Sequence, residues 1–278
     1  MIAIINGKVY TEDAILEKGT VMIKDGKIEA VGADVQVPEG AEIIDAQGKM
    51  VTPGLIDPHS HIGIGEEGIG LVGLDFNEMT DPITPQLRAI DAIYPDDVGF
   101  LTARQAGVTT VVTGPGSANA IGGTFLAMKT FGRRVDDMVI KNPVAMKMAF
   151  GENVKGVYRE QDTMPMTRMG IMAVMRDFFY KAKEYMKKKE DTDPSKQPDY
   201  DLRYEAILPV LKGELKVKAH AHRTDDIFSA IRLAKEFDLD MTIEHCTEGH
   251  LIADLLAEEG YGAICGPNMS SSTKHELR

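Results

Sequence analysis

The 278 residues, 43% of them hydrophobic, can bury a sizeable core and fit one large α/β domain with a smaller one. No run approaches the roughly 18 apolar residues of a membrane helix, the opening MIAIINGKVY lacks the layout of a signal peptide, and two cysteines, Cys246 and Cys265, suit a reducing compartment rather than a disulfide framework. A cytoplasmic protein is expected, and a net charge of −12 argues against a polyanionic partner such as nucleic acid; a small molecule is the expected partner, with neither nucleic acid nor membrane.

Residues 1–50 carry the β-type runs AIINGKVY, GTVMIKDGKIEAVG and AEIIDAQGKMVTPG, separated by Gly and Asp turn signals, and predict a small β-module. From residue 51 to 278 apolar strands alternate with amphipathic helices, the pattern of βα units around a parallel sheet. Strands are expected at TPGLID, GVTTVVTG, MVIK, VAMKMAFG, LKVKAHA, DMTIEHC and YGAICG, and helices at PDDVGFLTARQA, TDDIFSAIRLAKEF and EGHLIADLLAEE. Thr224 is expected to cap the second helix, which carries acids in its first turn. The layout is that of a β/α barrel, whose chemistry sits at the C-terminal ends of its strands.

A long insertion, residues 152–212, separates the fourth and fifth strands. In it Ile171, Met175, Phe178, Ala182 and Tyr185 recur at helical spacing and predict a packing face, and the charged KKKEDTDPSKQPD that follows reads as a solvated loop. GPGSANAIGG lacks the lysine spacing of a phosphate-binding loop and reads as a turn at the barrel mouth.

Histidines recur at predicted strand ends: His59 with His61, His220 with His222, and His245. In an extended chain residues i and i+2 share a face, so His59 and His61 project together with Asp57 below them, and His220 and His222 do the same. Because strand ends converge on one barrel mouth, a metal site explains all of these positions at once. Neutral imidazole suits Zn, Fe, Ni or Mn, and a carboxylate or a modified lysine usually completes such a site. His222 is a candidate for substrate contact or for an alternative ligand, or simply a hydrogen-bonding neighbour. Lys147, between Met146 and Met148 on a buried strand, needs a partner, because an unpaired buried ammonium is costly; a barrel carboxylate would serve. Cys246 is expected to point away from His245 as a small buried hydrophobe, and His250 and His275 read as surface residues in a helix and a polar tail.

VTPGLIDPHSHIG, followed by KAHAH and IEHCTEG, resembles the amidohydrolase superfamily, and most closely its imidazolonepropionase-like branch. Local similarity in GPGSANAIGG, MKMAFGEN and TRMG extends the resemblance over nearly the whole chain. It implies a metal-dependent-hydrolase (β/α)8 TIM barrel, preceded by the N-terminal portion of a composite β-sandwich over residues 1–50. It also implies His59 and His61 as ligands from strand one, His220 from strand five and His245 from strand six. In dinuclear relatives a carbamylated lysine ending strand four bridges the metals, and Lys147 stands there; Glu152, just beyond it, is the rival. Either way one or two divalent ions, zinc first, are expected.

The family's strand-eight aspartate, its general base, has no counterpart before the chain stops, so an incomplete barrel, inactive alone, is the expectation, with an open edge that favours a homo-oligomer. The expected reaction is hydrolysis of an amide or cyclic amide C–N bond. Deamination of a ring amidine and a non-catalytic scaffold are the alternatives.

Overall fold

β1 (Ile2–Tyr10) is the centre of the first sheet. It pairs antiparallel with β2 (Ile15–Lys24), which in turn pairs antiparallel with β3 (Lys27–Gly32), and parallel with β4 (Glu42–Asp45) and the two-residue β5 (Met50–Val51). Asp25 and Gly26, at φ 49° and 74°, close the β2–β3 hairpin with Lys24 opposite Lys27. Positive φ at both central residues is the type I′ turn for which Asp-Gly is favoured, because its twist matches that of the strands it joins. Residues 1–267 are described in this computed structural model, and the chain divides into two compact units, one of them Met1–Leu55 and the other beginning at Ile56.

The second unit is built on β6 (Leu55–Ser60), β7 (Val108–Thr113), β8 (Ile121–Lys129), β9 (Val139–Ala149), β10 (Lys216–Ala221), β11 (Met241–His245) and β12 (Gly262–Cys265), each hydrogen-bonded to the next in chain order. Neighbours from β9 to β12 run parallel. The sheet is rolled nearly closed: His59 on β6 and Glu244 on β11 approach to 2.7 Å although four strands lie between them. It is a TIM-barrel-type α/β fold.

Two strand expectations need correction. β8 stands where no strand was expected, and it runs antiparallel to both β7 and β9, whereas the expected sheet was parallel. Residues 114–120 are too few for a parallel crossover, which takes about a dozen or more, so the chain turns back as a hairpin. GPGSANAIGG is therefore a turn that runs into β8 at Ile121. In addition, MVIK and VAMKMAFG lie in one continuous strand, β9.

Seven helices accompany these strands: α1 (Val98–Gln105), α2 (Val135–Met138), α3 (Glu152–Glu160), α4 (Arg168–Lys189), α5 (Leu202–Leu211), α6 (Thr224–Phe237) and α7 (Ala253–Glu259), among the described residues. α6 starts one residue earlier than the capping expectation requires. Its N-cap is Arg223, without a side-chain cap, and the Thr224 amide instead donates to Glu248 Oε2 at 2.8 Å. The insertion packs as its spacing predicts, with Ile171, Met175, Phe178, Ala182 and Tyr185 of α4 all buried and the polar run after it mostly exposed. No helix among the described residues is long and apolar enough to cross a membrane.

Candidate metal centre

β6 delivers His59 and His61 to one end of the sheet with ring centroids 5.5 Å apart. The Asp57 carboxylate accepts the His59 backbone N–H at 3.0 Å, so the residue below the pair shapes the strand end. His61 stacks on Phe76 at 5.6 Å, and its Nδ1 lies 2.6 Å from the Gly114 carbonyl. Only glycine fits at 114, because a Cβ there would stand 2.3 Å from Phe125 Cγ. Burial pushes the His59 imidazole down to about 3, against the pull of the Glu244 hydrogen bond, and pushes that of His61 down to about 4, with the Lys147 charge acting in the same direction. Both rings are neutral near pH 7, the form that can donate a lone pair to a metal.

β10 and β11 bring up the other three. His220, His222 and His245 each offer a ring nitrogen, and the three nitrogens lie within 4.8 Å of one another. Ring centroids are 4.6 Å apart for His220 and His245 and 4.8 Å for His222 and His245, and His245 is 5.1 Å from His59. All five strand-end histidines thus meet, and His222 belongs to the tightest group among them. Strict alternation would turn His245 away, since its neighbour Glu244 already faces the barrel interior. The chain solves this with left-handed backbone at His245 (φ 68°) and Cys246 (φ 49°). Such positions cost of order 1–3 kcal/mol and cluster at functional sites. The same turn buries Cys246 in the apolar core, as expected of it.

Acceptor-only partners set the tautomers. His59 Nδ1 is 2.7 Å from Glu244 Oε2, His61 Nδ1 is 2.6 Å from Gly114 O, and His245 Nδ1 is 2.7 Å from Gly266 O. A carbonyl or a carboxylate can only accept, so Nδ1 carries the proton in all three rings and Nε2 carries the lone pair. This is the arrangement in which metal-binding histidines are found: the outer nitrogen tied down, the inner one presented. Nitrogen donors in such a group suit zinc.

Lys147 is fully buried on β9, with Nζ 3.5 Å from His59 Nε2 and 5.5 Å from the centre of the Phe125 ring. Glu152 opens α3 and borders a cleft with Lys155, Arg159, Arg168 and Arg223. Its neighbour Asn153 turns inward, with Nδ2 3.3 Å from His220 Nε2 and 2.6 Å from Ser117 Oγ. His250 is exposed in a short 3-10 helix, and His275 lies outside the described residues.

A cleft of about 310 Å³ opens beside the histidines, lined by His61, Phe76, Asn77, Ser117, Asn153 and Val157. A larger cavity of about 540 Å³, between Phe178 on α4 and Tyr204 on α5, has no histidine in its wall. Chemistry favours the smaller one.

Several site residues escaped sequence reasoning: Glu244, Lys218, Phe76, Asn153 and Asp97. Glu244 and Lys218 left a signal, since each is a charged residue inside an apolar strand and burial demands a partner. Asp97, 4% exposed, accepts from the amides of Gly99, Gly63 and Glu67 at 3.1, 2.9 and 3.1 Å. One carboxylate thus caps α1 and pins the loop that leaves His61. Asp97→Ala leaves three amides without this acceptor and is expected to lower stability by about 2–3 kcal/mol, read as a shifted urea midpoint.

Residues 1–51 match the NagA composite domain. An amidohydrolase from Thermotoga maritima MSB8 has a solved structure that superposes with a TM-score of 0.94 at 42% identity, over 100% of this chain and 73% of that one. The amidohydrolase tasK of Hapsidospora irregularis is 33% identical over 270 residues, 88% of this chain and 27% of that protein. The imidazolonepropionase of Geobacillus sp. (strain WCH70) is 52% identical over 54 residues, 17% of this chain and 13% of that protein. The chain thus spans about a quarter or less of the length of these two sequence relatives. With the whole of this chain superposing on 73% of the T. maritima chain at such identity, and the histidine cluster seated at its strand ends, the chain belongs to the amidohydrolase superfamily, on its imidazolonepropionase-like branch.

Proposed function

We propose that the protein is a metal-dependent hydrolase that cleaves a C–N bond in an amide or cyclic amide of a small molecule, using one or two divalent ions, zinc foremost. The observation that carries this reading is the convergence of His59, His61, His220, His222 and His245, from three strands and 187 positions of sequence, into one cluster of edge-on and stacked rings. When bound, the metal supplies Lewis-acid activation of water and of a substrate carbonyl.

The chain's own residues bind and orient. His59, His61, His220 and His245 present nitrogen donors, and backbone carbonyls of Gly114 and Gly266 hold two of those rings in place. His222, with Nδ1 2.7 Å from Thr247 Oγ1, is assigned to substrate contact with a ligand role as its alternative. Lys147, beside His59, is assigned as the bridging carbamate, with Glu152 as the fallback. Phe76, Asn77 and Asn153 offer a flat apolar surface and amide groups in the cleft next to His61, which suits a planar amide. Residues 1–50 are assigned to a composite β-sandwich; the match to the NagA composite domain and the exposed Ile28, Ile43, Ile44 and Met50 support this. The acidic net charge supports a small-molecule substrate rather than nucleic acid, and a cytoplasmic location is part of the same proposal.

The test is an assay of zinc-loaded protein on cyclic amides, N-acyl amino acids and dipeptides. Amine or acid release from any of these would establish hydrolysis. Ammonia release from ring amidines alone would select the deaminase reading, and zinc binding without turnover on any of them would leave either the expected chain that is inactive by itself or a non-catalytic scaffold. Lys147→Ala is expected to lower zinc from two equivalents to about one or less, measured by elemental analysis. Unchanged zinc in that variant, with zinc lost in Glu152→Gln, would assign the bridge to glutamate.

A further inference from the structure

Beneath the histidines lies a polar group that ligand binding does not by itself require. Glu244 is fully buried, and its two oxygens are taken up by three donors: His59 Nδ1 at 2.7 Å and Lys218 Nζ at 2.8 Å on Oε2, and Thr242 Oγ1 at 2.6 Å on Oε1. The Lys218 side chain is 6% exposed, and its Nζ stands 5.7 Å from the centre of the Phe125 ring. We propose that Lys218 and Glu244 form a positioning pair that fixes the His59 imidazole as its Nδ1–H tautomer, with the Nε2 lone pair presented to the mouth. The metal consequences rest on the function proposed above; the tautomer itself does not.

Stability does not account for the pair. Desolvating two charges costs several kcal/mol each, and well-packed apolar residues in place of a buried ion pair are often neutral or stabilising. Donor counting accounts for it instead. An ammonium can only donate, so one lone pair of Oε2 goes to Lys218 and the other remains for His59. A carboxylate anchored by Lys218 and Thr242 cannot rotate away, and it offers His59 nothing but an acceptor. A neutral ring whose Nδ1 must donate has its lone pair on Nε2, the nitrogen nearest Lys147 at 3.5 Å. Partners in this position typically govern metal affinity by 10–100-fold.

Because the pair acts through geometry, two substitutions at Glu244 should have unlike effects. In Glu244→Gln the amide oxygen can take the Oε2 place and accept from Lys218 and His59, while the amide nitrogen donates to the Thr242 hydroxyl. In Glu244→Leu no acceptor remains. The experiment uses metal-free, histidine-15N-labelled protein, whose long-range 1H–15N spectra report the tautomer of each ring, with His59 assigned by its loss in His59→Asn. Zinc Kd is measured alongside by competition with a chelator.

Wild type and Glu244→Gln are expected to show His59 as Nδ1–H, with zinc Kd values within about threefold of one another. Glu244→Leu and Lys218→Met are expected to populate Nε2–H at His59 and to weaken zinc about 10–100-fold. An unchanged His59 tautomer in Glu244→Leu would overturn the proposal, as would Gln behaving like Leu, or Lys218→Met retaining wild-type spectra. If Lys218→Met does not fold by circular dichroism, the Leu and Gln variants decide. If wild type binds no zinc, the hydrolase reading fails, and the spectra still decide the positioning pair.

Discussion

His245→Ala is expected to weaken zinc binding about 100-fold or more, and His220→Ala to do the same, while His250→Ala leaves the affinity within about twofold of wild type. The magnitude follows from sharing the roughly 10–16 kcal/mol of a zinc site among about four ligands, so that each contributes several kcal/mol. The contrast follows from placement. His220 and His245 stand with ring centroids 4.6 Å apart at neighbouring strand ends, whereas His250 is exposed and its Nδ1 lies 3.0 Å from the Thr247 carbonyl. His245→Ala also releases left-handed backbone strain only in part, because alanine at φ 68° remains unfavourable. Circular dichroism must therefore accompany the titration. Equal loss of affinity in all three variants would trace the effect to folding, and no loss in either strand-end variant would remove these residues from the ligand set.

The second large effect is expected far from the histidines. Phe179→Ala should destabilise the chain by about 3–5 kcal/mol, the usual range for a buried phenylalanine. Phe179 is fully buried on α4 and stacks on Phe237 of α6 at 4.9 Å and 27°, so the aromatic pair joins the inserted helix to a barrel helix. Around it Met175, Ala182, Ile207 and Val217 belong to the same apolar cluster, which extends to β10 directly below His220. A cavity there cannot collapse without moving β10 or α6, and the cost should lie toward the upper end of the range. Tyr200→Ala, at a residue 73% exposed, is the control and should stay within about 0.5 kcal/mol. Urea midpoints followed by near-UV circular dichroism compare the two. A loss below about 1 kcal/mol for Phe179→Ala would mean that the inserted helices are an appendage to the barrel rather than part of its core.

Much of the architecture lies in local pattern. The period-2 runs of residues 1–50, the helical spacing of Ile171, Met175, Phe178, Ala182 and Tyr185, and the helix at Val98–Gln105 are each decided by residues close in sequence, and periodicity reports such contacts directly. The placement of His59, His61, His220 and His245 at strand ends was legible for the same reason. Barrel topology then obliges those ends to meet, whatever the sequence distance between them.

Other features depend on contacts that no local window contains. β8 itself was hidden because its Gly-Gly start resembles a turn, and its direction follows from chain length between strands, not residue type, which forces the hairpin. Glu244 is an acid in an apolar strand, and nothing local says that its partners are Lys218, 26 positions away, and His59, 185 positions away. His245 faces the cluster only because the backbone turns left-handed there, a conformation that side-chain alternation argues against and that the packing around Cys246 and the Gly266 carbonyl holds in place. The sequence by itself determined which strands end in imidazoles, because that is written residue by residue. Only the tertiary structure decided which nitrogen of His59, His61 and His245 carries the proton, because that is set by acceptors from elsewhere in the chain: Glu244 across the closing barrel, and the Gly114 and Gly266 carbonyls just past neighbouring strands.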